Sequence, residues 1–302
     1  MSIFSTPGGR GGLALAAGAA GIGFAPLFVR WSELGPFSTG AYRMLIAAPL
    51  LWAWARWEAR TTGGLPVAGT PGLPASPAGP GPIVLILLAG FFFAGDMALW
   101  NWSLHLTTVA NSTLITNLTP LLVMVAGRLL FGERITRAYL AGMPVAFLGV
   151  GLLVRSSGPG AADHWKGDLV SAAATFFYAG YLLSLRRLRM RHGSAWILFW
   201  SGLVSAAILF PVAWAAGDRL LPATPAGWGT LLALAAVSHF GGQGLIAYGF
   251  GHATAAVGSL VLLVQPVVAA LLAWGFLGES LTWVQLLGGA LALAGVTIAS
   301  RR

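Results

Sequence analysis

The chain has 302 residues, of which 57% are hydrophobic and only 8% are charged. Soluble domains carry about 25% charged residues, so this chain lacks the polar groups needed to cover a water-facing surface. Its net charge of +9 does not indicate nucleic-acid binding, because the arginines lie in short gaps between apolar runs. The absence of cysteine excludes disulfides and thiolate chemistry. Composition therefore predicts an all-α polytopic membrane protein.

Apolar runs long enough to cross a hydrocarbon layer of about 30 Å as helices recur along the chain. We predict ten spans, at 13–30, 37–57, 83–103, 109–130, 137–154, 168–187, 195–216, 228–250, 257–276 and 283–300. Arg10 followed by an Ala-rich run also fits a cleaved signal peptide, but the internal duplication of the chain requires an uncleaved first span. Residues 58–82 are dense in Pro and Gly and predict a flexible linker.

The lysines and arginines of the loops predict the orientation of the chain in the membrane. With a cytoplasmic N-terminus, the inner segments hold twelve such residues and the outer segments hold four. Arg43 lies within span 2 and belongs to neither group. Because positive residues concentrate on the cytoplasmic side, both termini are expected there.

A segment of span 4 and the loop after it occurs twice. LTPLLVMVAGRLLFGERIT, from Leu118 to Thr136, returns from Val264 to Thr282 as VQPVVAALLAWGFLGESLT, an offset of 146 residues. At this offset, 12 of the 43 positions between Thr108 and Val150 match, including the prolines and the Gly-Glu pairs. A unit of five spans crosses the membrane an odd number of times, so its second copy is inverted and loses the cytoplasmic arginines. We predict two repeats, 1–157 and 158–302, that work by alternating access.

These features resemble the EamA-type members of the drug/metabolite transporter superfamily. The resemblance rests on ten spans in a 5+5 inverted repeat, Pro-x12-Glu at the ends of spans 4 and 9, and Tyr42-Arg43 in span 2. It implies a bacterial inner-membrane carrier with a central cavity lined mainly by spans 1, 3, 4, 6, 8 and 9. It also implies export of small amphipathic metabolites, above all amino acids, aromatic ones included. Span 1 has Gly21-Ile22-Gly23-Phe24 where the family usually has Trp-Gly-Ser-Asn, so polar contacts from span 1 do not carry over.

Ionisable residues at membrane depth are costly and tend to face cavities or partners. Two lie well inside the predicted spans, Asp96 and His239. Spans 3 and 8 are repeat partners, so both residues are expected to face one interior region and to bind a substrate amino group or couple a proton. Buried hydrogen bonds between helices are the alternative. The predicted substrate site comprises Asp96, Trp100, Asn101, Asn117, Tyr178, Tyr181, His239 and Gln243.

Two further residues leave alternatives open. Pro120 frees the carbonyl of Thr116 for a ligand, unless a neighbouring hydroxyl satisfies it; a simple kink is the favoured prediction. Arg43 is expected to have a structural role, by reaching the interface or by neutralising a glutamate such as Glu33. Binding of a substrate carboxylate by Arg43 is the alternative.

The motifs of enzymes are missing from the sequence. No second acidic residue lies deep in a span to pair with Asp96, and neither HExxH nor a phosphate-binding loop is present. No metal or cofactor is expected, because the histidines are scattered. Two rivals to a metabolite exporter are a cationic-drug exporter and a non-transporting scaffold that holds partners through glycine faces such as Gly142/Gly149 and Gly288/Gly295. The expected partners are the lipid bilayer and a small molecule, while a homodimer and a monomer stay equally open.

Overall fold

The computed structural model describes residues 7–61, 81–132, 135–155, 164–189, 192–246, 248 and 264–299. The regular structure in these ranges is helical throughout. The helices are α1 (Pro7–Gly23), α2 (Ala25–Trp31), α3 (Pro36–Thr61), α4 (Pro82–Ser103), α5 (Val109–Thr116), α6 (Thr119–Phe131), α7 (Arg137–Arg155), α8 (His164–Leu188), α9 (Ser194–Ala215), α10 (Pro225–Ala233), the π-helix Leu234–Gln243, α11 (Val264–Leu277) and α12 (Trp283–Ala299).

Helices coincide with the predicted spans. Six described segments are long and apolar enough to cross a membrane, and α7, α11 and α12 are shorter apolar helices. This confirms the prediction of an all-helical membrane protein, while ten crossings and the 5+5 relation stay predictions. The helix α3 continues to Thr61 and so enters the segment predicted as a linker from residue 58. The rest of that linker up to residue 80, and residues 257–263 of the predicted ninth span, lie outside the described residues.

The outer surface of the helices is strongly apolar. Ile83, Leu129 and Trp283 are 73%, 78% and 85% exposed, and many other large apolar side chains are exposed with them. In water such a surface would aggregate. Lipid tails cover it without cost, so the surface agrees with a multi-pass membrane protein.

At the break between α5 and α6, a carbonyl group freed from the helix is hydrogen-bonded within the chain. The helix is interrupted at residues 117–118, and Pro120 stands in the first turn of α6. The hydroxyl of Thr119 donates to the carbonyl oxygen of Thr116 at 2.6 Å. A local kink with a satisfied carbonyl, the favoured prediction, is therefore confirmed at this position.

The repeated glycine of the Gly-Glu pair has a conformational reason. Gly132 follows α6 with φ 68°, and Gly278 follows α11 with φ 69°. This left-handed backbone disfavours any residue with a Cβ atom, and it is common just after the last turn of a helix. Both copies therefore need glycine at this position.

The glycine faces of α7 and α12 pack against each other within the chain. A Cβ atom on Gly142 would lie 2.4 Å from the backbone nitrogen of Ala299, and one on Gly149 would lie 2.3 Å from that of Ala292. Small residues let helix backbones approach this closely in a membrane. Since the two faces cover each other, they are not free to hold a partner protein, which removes the feature that favoured a scaffold.

Replacing Gly149 by alanine is expected to destabilise the folded protein by about 1–3 kcal/mol, because backbone cannot move away as easily as a flexible side chain. Gly151 is the matched control: it lies on the same helix, and a Cβ atom added there would meet nothing within 4 Å. Thermal unfolding in detergent should show a lower midpoint for Gly149→Ala and no loss for Gly151→Ala. Equal midpoints for the two variants would contradict the close packing of α7 on α12.

Candidate functional site

A cavity of about 370 Å³ lies among the helices, within the size range of small-molecule sites. Six of the eight predicted site residues line it: Asp96, Trp100, Asn117, Tyr178, Tyr181 and Gln243. The lining begins near Trp100 and Thr116 and extends to Arg189 and Ser194, where α8 ends and α9 begins. All six spans expected from the resemblance contribute at least one lining residue.

Aromatic rings form one wall of the cavity. Phe93 and Tyr181 stack with ring centroids 4.4 Å apart and an angle of 11° between their planes. Tyr178 and Tyr181 are also stacked, at 6.1 Å. Flat rings offer apolar area with little loss of side-chain entropy, so this wall suits an apolar or aromatic substrate group.

Opposite charges face the same cavity from neighbouring helices. Asp96, on α4, is 5% exposed, and Arg43, on α3, is 2% exposed. Arg43 was expected to reach the interface or to neutralise Glu33, but the structure contradicts both: Arg43 is buried beside Met97, and Glu33 binds a different part of the chain. Arg43 lines the cavity, so the alternative that the sequence left open, binding of a substrate carboxylate, stays a prediction.

His239 and Asn101 are the two predicted site residues that do not line the cavity. His239 is fully buried in the π-helix, and its ring stacks at 5.8 Å on Phe93, whose side chain lines the cavity. Neither ring nitrogen of His239 has a hydrogen-bond partner among the described residues. Asn101 is also fully buried and donates to the carbonyl oxygen of Pro36 at 2.9 Å. Both residues therefore lie outside the lining, and His239 contacts it through Phe93.

At the end of the molecule opposite Arg189, carboxylates join the two predicted halves of the chain. Glu279 accepts hydrogen bonds from Arg30 at 3.2 Å and from the backbone amide of Val109 at 3.0 Å. Arg30 also donates to the carbonyl oxygen of Thr107 at 2.9 Å. Asp168 accepts from the hydroxyl of Thr107 at 2.7 Å. These contacts connect loop 104–108 and the start of α5 to the second half of the chain.

Two more carboxylates complete this polar network, which comprises the contacts of Glu33, Asp168, Asp218 and Glu279. Asp218 accepts from the amides of Phe37 and Ser38, both at 2.9 Å, at the start of α3. Glu33 accepts from the amide of Ala223 at 2.7 Å and from the hydroxyl of Thr224, the N-cap of α10. Three of the four carboxylates thus bind free amides at or just before helix N-termini, where negative charge is favoured. All four contacts join one half of the chain to the other.

Ionisable groups in the loops at this end of the molecule have shifted pKa values. Burial raises the pKa of Glu279, and the nearby Arg30 guanidinium opposes that shift. The hydrogen bond from the Thr224 hydroxyl is the largest cause that lowers the pKa of Glu33. Burial also lowers the pKa of His105, and Arg30 adds to the effect. Glu279 therefore lies in a partly dehydrated position, whereas Glu33 is stabilised as the anion at the surface.

Several lining residues were not predicted from the sequence. Gln265 is an example that the repeat relates to another lining residue. It corresponds to Thr119 at the 146-residue offset, and both line the cavity. The same offset relates Met97 to Gln243 and Trp100 to Ile246, and all four of these residues line the cavity too. Phe93 corresponds to His239, on which it stacks. Mapping each predicted site position onto its counterpart would have found Met97 and Ile246, and Gln265 would have followed once Thr119 was recognised.

An apolar helical protein with a central cavity walled by aromatic rings and a few charges has the features of a polytopic membrane transporter. Comparison with known proteins agrees, since the EamA-like transporter family matches residues 9–155 and 165–301. The chain belongs to this family. A solved crystal structure with 20% sequence identity, covering 96% of both chains with a TM-score of 0.64, shows the same overall fold.

Relatives of the chain carry the names of exporters. It is 26% identical over 219 residues to the pseudopaline exporter CntI of Pseudomonas aeruginosa, which covers 72% of this chain and 75% of that protein. It is 27% identical over 212 residues to a probable terminal-alkyne amino-acid exporter of Streptantibioticus cattleyicolor, 68% of each chain. It is 30% identical over 197 residues to a probable amino-acid metabolite efflux pump of Salmonella typhimurium, 62% of this chain and 66% of that one.

Proposed function

We propose that the protein is a secondary carrier that exports small amphipathic metabolites, most of all amino acids, across the bacterial inner membrane. The observation that carries this proposal is a cavity that combines aromatic walls with Asp96 and Arg43 in its lining. Exporter names among the relatives, two of which mention amino acids, support the same substrate class. The proposed ligand is a small molecule with one apolar and one charged part.

We also propose ten spans arranged as two inverted five-span repeats, 1–157 and 158–302. The family match falls in two parts, 9–155 and 165–301, and this supports the duplication. So do the paired lining positions and the left-handed Gly132 and Gly278. A pair of inverted repeats can exchange conformations around a site at the middle of the membrane, which is the basis of alternating access.

The proposed orientation places both termini in the cytoplasm, because the loops on that side hold twelve of the lysines and arginines. In this orientation the polar network lies at the outer side, and the cavity extends toward the cytoplasmic side at Arg189 and Ser194. The structure then represents a carrier that is closed to the outside and can receive its substrate from the cytoplasm. Opening to the outside would require the contacts of the polar network to separate.

Within this carrier Asp96 is proposed to bind either the substrate or a proton. Export of the substrate would then be coupled to uptake of the proton. His239 is proposed as the second proton-coupling residue, although Phe93 lies between its ring and the cavity. A His239→Phe variant keeps an aromatic ring for the stack and removes the titratable group. If transport driven by a pH gradient is unchanged in this variant, His239 is a packing residue and Asp96 couples the proton alone.

The test of the function is counterflow of a labelled amino-acid mixture in proteoliposomes, with and without a pH gradient. We expect saturable exchange that aromatic or aliphatic amino acids compete for, and a dependence on the gradient if protons drive export. Protein-free liposomes are the control for leakage. An absence of flux for every amino acid under both conditions would contradict the proposal and would favour the cationic-drug exporter, to be tested with labelled organic cations in the same vesicles.

A further inference from the structure

Two buried side chains of opposite charge face the cavity without forming a direct ion pair with each other. Neither Arg43 nor Asp96 reaches ion-pair distance of the other, or of any other described residue. A buried charge is costly unless it is paired and hydrogen-bonded. This arrangement costs stability in the empty protein, and it leaves both charges available to a ligand.

The hydrogen-bonding capacity of Arg43 is largely unused. A guanidinium has five N–H donors, and the hydrogen bond that Arg43 makes among the described residues goes from Nη1 to the sulfur of Met97 at 3.6 Å. A thioether sulfur is a weak acceptor. The Nε atom of Arg43 is buried and has no partner in the described part of the chain. Carboxylates are the acceptors that match the forked donors of arginine best.

Asp96 is the complementary group on the neighbouring helix. Its carboxylate receives no hydrogen bond from the described residues, and it lines the cavity one helical turn from Trp100. A carboxylate in a cavity with aromatic walls suits an ammonium group, which gains both an ion pair and contact with ring faces.

We propose that Arg43 and Asp96 bind the two charges of one zwitterionic substrate: Arg43 takes its carboxylate and Asp96 takes its ammonium group. The proposal rests on the proposed carrier function and specifies how its site recognises α-amino acids. The aromatic wall formed by Phe93, Tyr178 and Tyr181 then contacts the variable side chain. The two protein charges sum to zero, so a ligand with no net charge leaves neither of them unpaired.

The same charges oppose organic cations. A cation that pairs with Asp96 alone would leave Arg43 buried and unpaired, with a like charge in the same cavity. A monocarboxylate that pairs with Arg43 alone would leave Asp96 buried and unpaired, with a second negative charge in the same cavity. Discrimination against both kinds of ligand is therefore expected from one pair of residues.

The first experiment needs no variant. Counterflow of the transported amino acid is measured in proteoliposomes against two analogues, one without the amino group and one without the carboxylate. For phenylalanine these analogues are 3-phenylpropionate and phenethylamine. We expect each analogue to compete about ten- to a hundredfold more weakly than the amino acid, the range typical of losing a charged hydrogen bond. Equal competition by phenethylamine would overturn the assignment of Arg43, and equal competition by 3-phenylpropionate would overturn that of Asp96.

The second experiment assigns the carboxylate contact to Arg43. An Arg43→Gln variant is expected to lose at least about tenfold in apparent affinity for the amino acid, while its affinity for the amine analogue stays the same or rises. Arg43→Lys, which keeps the charge and loses the forked geometry, should fall between wild type and Arg43→Gln. Arg128→Gln is the matched control, because Arg128 is exposed on α6 and does not line the cavity. Its kinetics should equal those of the wild type.

The outcomes separate this inference from the function on which it rests. If wild-type protein exchanges no amino acid, the carrier proposal fails first. If it exchanges amino acids but Arg43→Gln lowers the apparent affinity for the amino acid and for the amine analogue equally, the carrier proposal is kept and Arg43 is a structural residue. If Arg43→Gln does not fold, the analogue series on the wild type still decides the question.

Discussion

Replacing Asp96 by asparagine is expected to reduce amino-acid counterflow by at least about a hundredfold. Asparagine has nearly the same shape, so α4 should keep its packing, but it supplies no negative charge to the cavity. The ammonium group of the bound substrate would then lack its anionic partner in the cavity. Breaking a buried ion pair by removing one partner costs about 3–5 kcal/mol, and one factor of ten corresponds to about 1.4 kcal/mol. Initial rates of exchange in proteoliposomes measure the loss.

Two controls make the Asp96 result specific. Asp96→Glu keeps the charge and should retain part of the exchange activity. Since a proton and an ammonium group would compete for the same carboxylate, acidification should raise the KM of the wild type and leave residual Asp96→Asn activity unaffected. Size-exclusion profiles must match those of the wild type for the comparison to count. Wild-type exchange by a well-folded Asp96→Asn protein would show that the substrate site lies elsewhere.

Periodicity and the internal repeat made most of the fold predictable. An apolar run of about 20 residues has few alternatives to a membrane helix, because lipid offers no partner to free backbone groups. The break at Pro120 followed from proline chemistry, and the structure confirms it with a hydrogen bond from Thr119. The π-helix at Leu234–Gln243 was not predicted, since that segment has no proline and nothing in its pattern departs from an α-helix.

The candidate site was predictable only where polarity marked it. Asp96, Asn117 and Gln243 are polar residues in apolar spans, and the structure places all three on the cavity. His239 fits the same description yet lies behind Phe93, because sequence spacing gives the side of a helix and not the depth of a layer between helices. Arg43 was assigned to structure for a related reason: a sequence cannot show whether a nearby carboxylate is within reach.

The contacts between the two halves of the chain could not be predicted from the sequence, for a different reason. Glu279 was recognised as one half of a repeated Gly-Glu pair, which said nothing about its partner. In the structure it binds the amide of Val109 and the side chain of Arg30, which lie 170 and 249 residues away along the chain. Long-range contacts between loops depend on how the helices pack, and no local pattern encodes them.

In the proposed carrier and orientation, replacing Glu279 by alanine is expected to open the outer side. The change leaves Arg30 without its ion-pair partner and the amide of Val109 without its acceptor. An unsatisfied buried polar group costs about 1–3 kcal/mol, so the outward-open population should rise by about five- to a hundredfold relative to the closed one. Glu279→Gln keeps an acceptor for the amide and should give a smaller effect than Glu279→Ala.

Because the chain has no cysteine, a single introduced thiol can report on access from outside. Thr116→Cys places the reporter on the cavity, and Leu221→Cys places a control in the loop between α9 and α10, where Leu221 is 62% exposed. A membrane-impermeant thiol reagent added to intact cells should label Leu221→Cys equally in all backgrounds. It should label Thr116→Cys slowly in the wild type, faster with Glu279→Gln and fastest with Glu279→Ala. If the three Thr116→Cys rates are equal while the control reacts normally, the contacts of Glu279 do not hold the outer side closed, and closure rests on the packing of the helices alone.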